Sequence, residues 1–130
     1  MKFNGTGGVV KTGSNVVAEI NTWSYNDSVN KVTGRAFQEQ VESAAAGART
    51  VTGNIKGYFD PTDTNGQSLL VTGAIIAIEL FISGDATGDH FFDIPEALIE
   101  TVTIDVQNDQ YVTFDAAFHA NVAPTLTAVP

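Results

Sequence analysis

The sequence predicts an all-β fold: an antiparallel β-sandwich or barrel-like domain with one short flanking α-helix and a long inter-strand loop. Three observations predict it. Val, Ile, Thr, Tyr and Phe alternate with polar residues at a period of two. Those runs are punctuated by Gly, Asn and Asp at turn spacing. At 130 residues the chain makes one domain, with about two-thirds of its extended surface available for burial, which suffices for a core without disulfides.

Each element follows from its residues. Val9-Val10-Lys11 enters a turn at Thr12-Gly13-Ser14-Asn15, and the chain returns from Val16 to Asp27. Strict alternation sets Val16, Ala18 and Ile20 on one face and Glu19, Asn21, Trp23 and Tyr25 on the other. Trp23 reads as a core or interface anchor. Val29 to Thr33 continues or pairs with that strand. Residues 34–48 break the pattern and read as a protruding loop or arm, because a stretch of this length without a period tends to reach outside its own fold.

Arg49 to Phe59 is a strand with Val51, Gly53, Ile55, Gly57 and Phe59 on one side. Two glycines on one face imply a backbone or a large side chain pressed against them. Asp60 to Gly66 is turn chemistry, with Thr64 or Asn65 as the cap of a short helix from Gln67 to Thr72 that Gly73 stops. Ile75 to Ser83 reads as a strand apolar on both faces. Ser83 to His90 turns, and Pro95 marks an edge or a bend. Ile99 to Gln107 and Tyr111 to His119 form the last hairpin, around Asn108-Asp109-Gln110. Its polar face carries Thr101, Thr103, Asp105, Thr113 and Asp115. Residues 121–130 read as an extended C-terminal tail.

Charge divides the chain. Residues 1–59 carry six cations against four carboxylates, or +2; residues 60–130 carry eleven carboxylates and no cation, or −11, and together these give −9. That balance argues against a nucleic-acid binder that works by phosphate neutralisation, which needs clustered Lys and Arg. The asymmetry suits a surface that repels a polyanion or matches a neighbouring copy of the chain. The longest apolar run, Ile75 to Ile82, is interrupted by Glu79 and is far short of the roughly 20 residues that span a bilayer. No secretory signal is read at the amino terminus, so synthesis and assembly in a cytoplasm are expected.

No catalytic, cofactor or metal site is expected. With no cysteine, thiolate chemistry and zinc-thiolate sites are excluded. The two histidines, His90 and His119, stand in no recognised catalytic context, and there is no nucleophile elbow, His-Glu-x-x-His helix or P-loop. Asp60, Asp63, Asn65 and Gly66 invite a calcium reading, yet counting from Gly66 as the sixth loop position puts Pro61 first and Thr72 twelfth, so a capped turn is favoured. Asp85, Asp89, His90 and Asp93 read as a solvated turn.

The serial order of features resembles the bacteriophage tail tube (major tail) proteins over residues 5–120. The carriers are Gly7-Gly8-Val9-Val10-Lys11, the strand Val17 to Tyr25 with Trp23-Ser24, Asn54-Ile55-Lys56-Gly57-Tyr58-Phe59-Asp60-Pro61 with Gln67 soon after, Gly84-Asp85-Ala86-Thr87-Gly88, and Val112 to Ala116. The resemblance implies a non-enzymatic virion protein of the tail, forming homo-hexameric rings that stack into a tube, meet other tail and neck proteins, and let DNA pass through the lumen without specific binding. No membrane partner is implied.

Under that resemblance, Thr101, Thr103, Asp105, Thr113 and Asp115, with Glu19 and Glu79, are expected to line the lumen. Lys31, Arg35, Phe37, Glu39, Glu42 and Arg49 belong to the inter-subunit or inter-ring arm, where the basic residues meet the acidic half of a neighbour. Two other readings stay open: a capsid cement or neck protein, and a carbohydrate- or calcium-binding β-sandwich module with Trp23, Tyr25 and Tyr58 as stacking groups.

Overall fold

A computed structural model describes residues 2–13, 15–34, 41 and 43–130. Among the described residues, eight strands form one antiparallel sheet: β1 (Val9–Thr12), β2 (Asn15–Val16), β3 (Ile20–Gly34), β4 (Ser43–Tyr58), β5 (Ile75–Phe81), β6 (His90–Asp105), β7 (Thr113–Ala120) and β8 (Thr125–Ala128). The order is β2-β1-β5-β6-β7-β4-β3, with β8 added alongside β6. The all-β expectation holds.

The long strand β6 joins two layers. Its first half pairs with β5 and β8, and its second half pairs with β7. Ile76 and Ile78 face Ala97 and Ile94, so β6 carries an irregularity around Pro95, where proline has no N–H for the ladder. The sheet curls until β3 meets the first half of β6 across the core: Tyr25 stacks on Phe92 at 4.3 Å, and Trp23 meets the same ring edge-on at 6.4 Å. Val10, Ile55, Ile78, Leu80, Ile94, Ile99 and Phe118 fill the space between the layers and are wholly buried. Each such side chain contributes about 1.5–3 kcal/mol by leaving water.

The glycine-lined face of β4 permits this packing. A Cβ on Gly53 would lie 2.3 Å from the Ser24 carbonyl oxygen and 2.6 Å from the Phe118 ring, and one on Gly57 would lie 2.2 Å from the Glu19 carbonyl oxygen. Close approach was the expectation for both positions.

Other expectations change. Register shifts lie between Ile20 and Thr22 in β3 and between Ile99 and Thr101 in β6. Each inserts a residue and reverses the alternation behind it, so Ile20 shares the inward face with Trp23 and Tyr25, and Ile99 shares it with Val102. The helix expected over Gln67 to Thr72 is a single 3₁₀ turn, Gln67–Leu69. Its cap is neither Thr64 nor Asn65, because Asp63 Oδ2 accepts the Gln67 N–H at 3.0 Å. Strand β5 is covered on both sides only at its end, where Leu80 and Phe81 on opposite faces are both buried; at its start Ile75 is exposed. Ser43 to Ala48 is strand rather than loop. Near the C-terminus, Thr125 to Ala128 pair with Asp93 to His90.

Candidate functional site

Five of the seven residues expected on a common polar surface do share one. Phe114, Ala116 and Phe118 of β7 point into the core, which turns Thr113 and Asp115 outward. Thr103 lies opposite Asp115, and Asp105 opposite Thr113, so the β6–β7 pair presents two Thr/Asp rungs. Thr101 precedes them, opposite Ala117. On the far side of Asp115 stands Lys56 of β4, followed by Thr22 of β3. Lys56 Nζ is 4.0 Å from Asp115 Oδ2, while Asp115 Oδ1 is buried with no hydrogen-bond partner. The surface is a shallow depression of small polar side chains with net charge −1 from Asp105, Asp115 and Lys56.

Glu19 sits at the edge of this surface, in the turn before β3 and not on a strand. Its φ of 60° is the left-handed region, which costs a non-glycine residue roughly 1–2 kcal/mol. The buried Gln67 and the half-buried Asp63 over-determine that turn. Asp63 Oδ2 accepts the Ala18 N–H at 2.8 Å, and Gln67 Nε2 donates to the carbonyls of Ala18 and Tyr58 at 2.7 and 2.8 Å. Gln67 Oε1 accepts the Asp60 N–H at 2.8 Å. The turn chemistry of residues 60–66 therefore fastens the start of β3 to the end of β4.

Glu79 is on the other side of the molecule. Ile78 and Leu80 point into the core, so Glu79 faces outward from the β1–β5–β6 layer, between Lys11 and Asp93. Burial and the neighbouring Asp93 push its carboxyl above the usual range, and Lys11 opposes them. Lys11 itself is divided between Asp85 at 3.1 Å and the Phe81 ring at 5.0 Å. Glu79 cannot share a surface with Asp105 and Asp115, because the hydrophobic core separates the layers.

The second region is a ribbon. Pairing of β4 with β7 ends at Thr52–His119, but β3 and β4 continue as a pair out to Gly34–Ser43. At ~3.3 Å per residue the ribbon extends about 30 Å beyond the sheet body. Of the element expected to protrude over residues 34–48, Gly34 and Ser43 to Ala48 belong to the far part of this two-stranded ribbon. Val29, Val32 and Val41 are 51, 61 and 79 % exposed. Ala44, Ala45, Ala46 and Ala48 are exposed beside them.

Of the residues assigned to this arm, Arg35, Phe37, Glu39 and Glu42 lie outside the described residues. Arg49 is paired within its own chain. Its Nε donates to Asp27 Oδ1 and Oδ2 at 2.9 and 3.1 Å, and this bond holds the Asp27 carboxyl below its usual range and raises Arg49. Lys31 is exposed and makes no ion pair with a described residue.

The opposite end of β4 carries a feature that the sequence reading missed. Past the end of the covering layer, Ile104 stays open beside the 3₁₀ turn, and Val102, Phe59, Val71 and the buried Phe114 and Leu70 complete a groove of about 290 Å³. Ile104 is 46 % and Val71 56 % exposed. The available signal was Leu69-Leu70-Val71, three consecutive apolar residues on one short turn that buries only Leu70. Asp60, Asp63, Glu100, Asp105 and Asp109 lie in the segments that form this end, residues 59–72 and 100–111, which contain no Lys or Arg.

No protein-family model matches the chain, and no curated protein is significantly similar in sequence. Solved structures are similar in fold over nearly the whole length. A chain in the virion of a native gene transfer agent particle superposes with a TM-score of 0.78 at 15 % identity, covering 98 % of this chain and 100 % of that one. A chain in the tail of an empty gene transfer agent particle, solved by helical refinement with C6 symmetry, gives 0.72 at 17 % identity and the same coverage. A chain in the tube-terminating cap of the anti-feeding prophage gives 0.76 at 11 % identity, covering 98 and 92 %. The chain has the fold these tail and tube structures contain.

Proposed function

We propose that this chain is a structural tail protein of a virion or virion-like particle, and that it assembles as stacked six-membered rings into a tube. The observation that carries the reading is the likeness in fold over 98 % of the chain to a component of a tail with C6 symmetry. Two features of the molecule support it. β3 is a 15-residue strand at the edge of the sheet, with one ladder partner among the described residues, and ring closure removes such an edge. The β3–β4 ribbon is a two-stranded hairpin, which is marginal by itself in water and gains from packing on a neighbour.

The outward face of β6, β7 and β4 is the channel surface in this reading, with Thr101, Thr103, Asp105, Thr113 and Asp115 towards the lumen. Glu19 adds to the rim, and Glu79, on the opposite layer, belongs to the outside. Six copies at −9 give a ring −54 overall, but six lumen faces at −1 give only −6. Repulsion of DNA phosphates thus acts close to the wall, within a Debye length of roughly 8 Å. Lys56 is held beside Asp115, and the other polar side chains of the depression, Asn21, Thr103 and Thr113, are neutral. A genome passes without a specific contact.

Negative-stain electron microscopy of the purified chain tests the assembly: rings or tubes of uniform width with six-fold symmetry are expected, and a stable monomer at high concentration overturns it. A reconstruction of the tube tests the face. Asp105 and Asp115 on the exterior would overturn the lumen assignment and leave the tube reading standing.

A further inference from the structure

We propose that Asn65 is a site of spontaneous covalent modification, at which the chain loses ammonia and gains a carboxylate in the turn that fastens β3 to β4. Only Asn4 and Asn65 are followed directly by glycine, whose lack of a side chain leaves its backbone nitrogen open to the preceding carboxamide. Both asparagines are exposed. The structure separates them.

The reaction is a ring closure. The Gly66 nitrogen, having given its proton to hydroxide, forms a bond to Asn65 Cγ; the Cγ–Nδ2 bond breaks, and the side-chain nitrogen leaves as ammonia with a proton from water, which regenerates the hydroxide. One water then opens the five-membered imide. Cleavage at Cγ leaves aspartate at position 65, and cleavage at the backbone carbonyl leaves isoaspartate, in which the main chain runs through the former side chain. The net change is hydrolysis of one amide, with no oxidation or reduction.

The turn leaves the reacting groups free. Neither the Asn65 carboxamide nor the Gly66 N–H makes a hydrogen bond among the described residues. The Thr12 hydroxyl donates to the Asn65 backbone oxygen at 3.2 Å, which stabilises the charge that reaches this peptide group when Gly66 loses its proton. Asp63 stands close to Gly66, but its Oδ2 already accepts the Ala18 and Gln67 N–H groups at 2.8 and 3.0 Å, and these offset its charge. Asn4 is held instead. Its Oδ1 accepts from the Thr6 N–H at 2.9 Å and from the Thr6 hydroxyl at 2.6 Å, and the carboxamide must release both before it can turn onto Gly5.

Packing requires the glycine that permits the reaction. A Cβ on Gly66 would press on Asp63 Oδ2 and lie 2.9 Å from Val17 Cα. Isoaspartate adds one atom to the backbone just before this tight contact, and so displaces the Asp63 and Gln67 side chains that hold Ala18 and Tyr58. The start of β3 loosens as the chain ages.

Incubation of the folded, full-length chain at mildly alkaline pH, followed by chymotryptic peptide mapping in a mass spectrometer, tests the site. Trypsin would not isolate it, because no Lys or Arg follows Lys56. Asn65 is expected to convert about tenfold faster than Asn4, the factor that ~1.4 kcal/mol carries and within what two exposed hydrogen bonds are worth. In urea the two should convert at similar rates. A folded chain in which Asn65 stays intact, or converts no faster than Asn4, overturns the assignment. The same preference in urea also overturns it, because the distinction then owes nothing to the turn.

Variants separate the modification from its consequence. Asn65→Gln can close only a six-membered ring and should resist conversion, and freshly purified Asn65→Asp carries the added charge without the added backbone atom. The incubated wild-type chain is expected to develop a fraction with a lower urea midpoint, which incubated Asn65→Gln does not develop and fresh Asn65→Asp does not reproduce. An isoaspartate-containing fraction that unfolds at the original midpoint overturns the loosening of β3. None of these readouts depends on assembly, so the tube reading stands or falls separately.

Discussion

The sheet body and the β3–β4 ribbon are built from the same two strands, yet they are stabilised in different ways. In the body, β4 is flanked by β7, and its inward residues meet Phe118, Trp23 and Phe114. Beyond Thr50 the same strand has only β3 beside it among the described residues, and both of its faces meet solvent. The backbone geometry barely changes along β4; the supply of side chains to pack against does. Stability of the monomer therefore belongs to the body.

The most severe way to break that contrast is Phe118→Ala. Loss of a fully buried ring is expected to cost about 3–5 kcal/mol, read as a lower urea midpoint. Next comes Gln67→Ala, which removes hydrogen bonds to Ala18, Tyr58 and Asp60 in one step. About 2–3 kcal/mol should be lost, because buried backbone groups are left without partners. Thermal unfolding would measure it.

A pair of glycines sharpens the comparison. Gly53→Ala in the body drives a methyl into Ser24 and Phe118 and is expected to destabilise by ~1–3 kcal/mol. Gly34→Ala in the ribbon meets nothing within 4 Å and should leave the urea midpoint unchanged. Equal effects at both sites would contradict the division into body and ribbon.

The smallest effects distinguish the two regions by pH. In the body, the folded Glu79 carboxyl binds its proton more readily than in the unfolded chain. Its protonation therefore adds stability at and below its ordinary value of 4.5, and that gain is lost as pH rises through the folded value. Glu79→Gln should flatten this limb of the stability–pH curve and raise the melting temperature slightly at neutral pH. In the ribbon the sign is opposite: Asp27 is held low by Arg49, so its contribution is present above 3.8 and lost on acidification through the folded value. Because that pair is solvent-exposed, Arg49→Ala should produce no measurable change in monomer melting.

Much of the candidate site was legible in residues. The alternation of Thr113, Asp115 and Ala117 with Phe114, Ala116 and Phe118 assigns that face of β7 without any tertiary information, and Thr103 and Asp105 fall beside it by pairing. Glu79 alternates just as clearly, but alternation reports only inward or outward. Which outer layer a strand joins depends on how the sheet curls. Arg49 illustrates a different limit: its partner Asp27 is 22 residues away in sequence, and the register of β3 on β4 brings them together.

By itself, then, the sequence determined what is local: the period of two, the turns at Gly13, Gly84-Gly88 and Asp109, the close approach at Gly53 and Gly57, and the uneven charge of the two halves. These follow from pleat geometry, backbone sterics and counting. The tertiary structure alone decided where Ile20 and Ile99 would point, how far β3 and β4 outrun the body, and that Val71 and Ile104 stay uncovered. Bulges and burial depend on where the neighbouring strand shifts or ends, and that neighbour is set by contacts between residues distant in the chain.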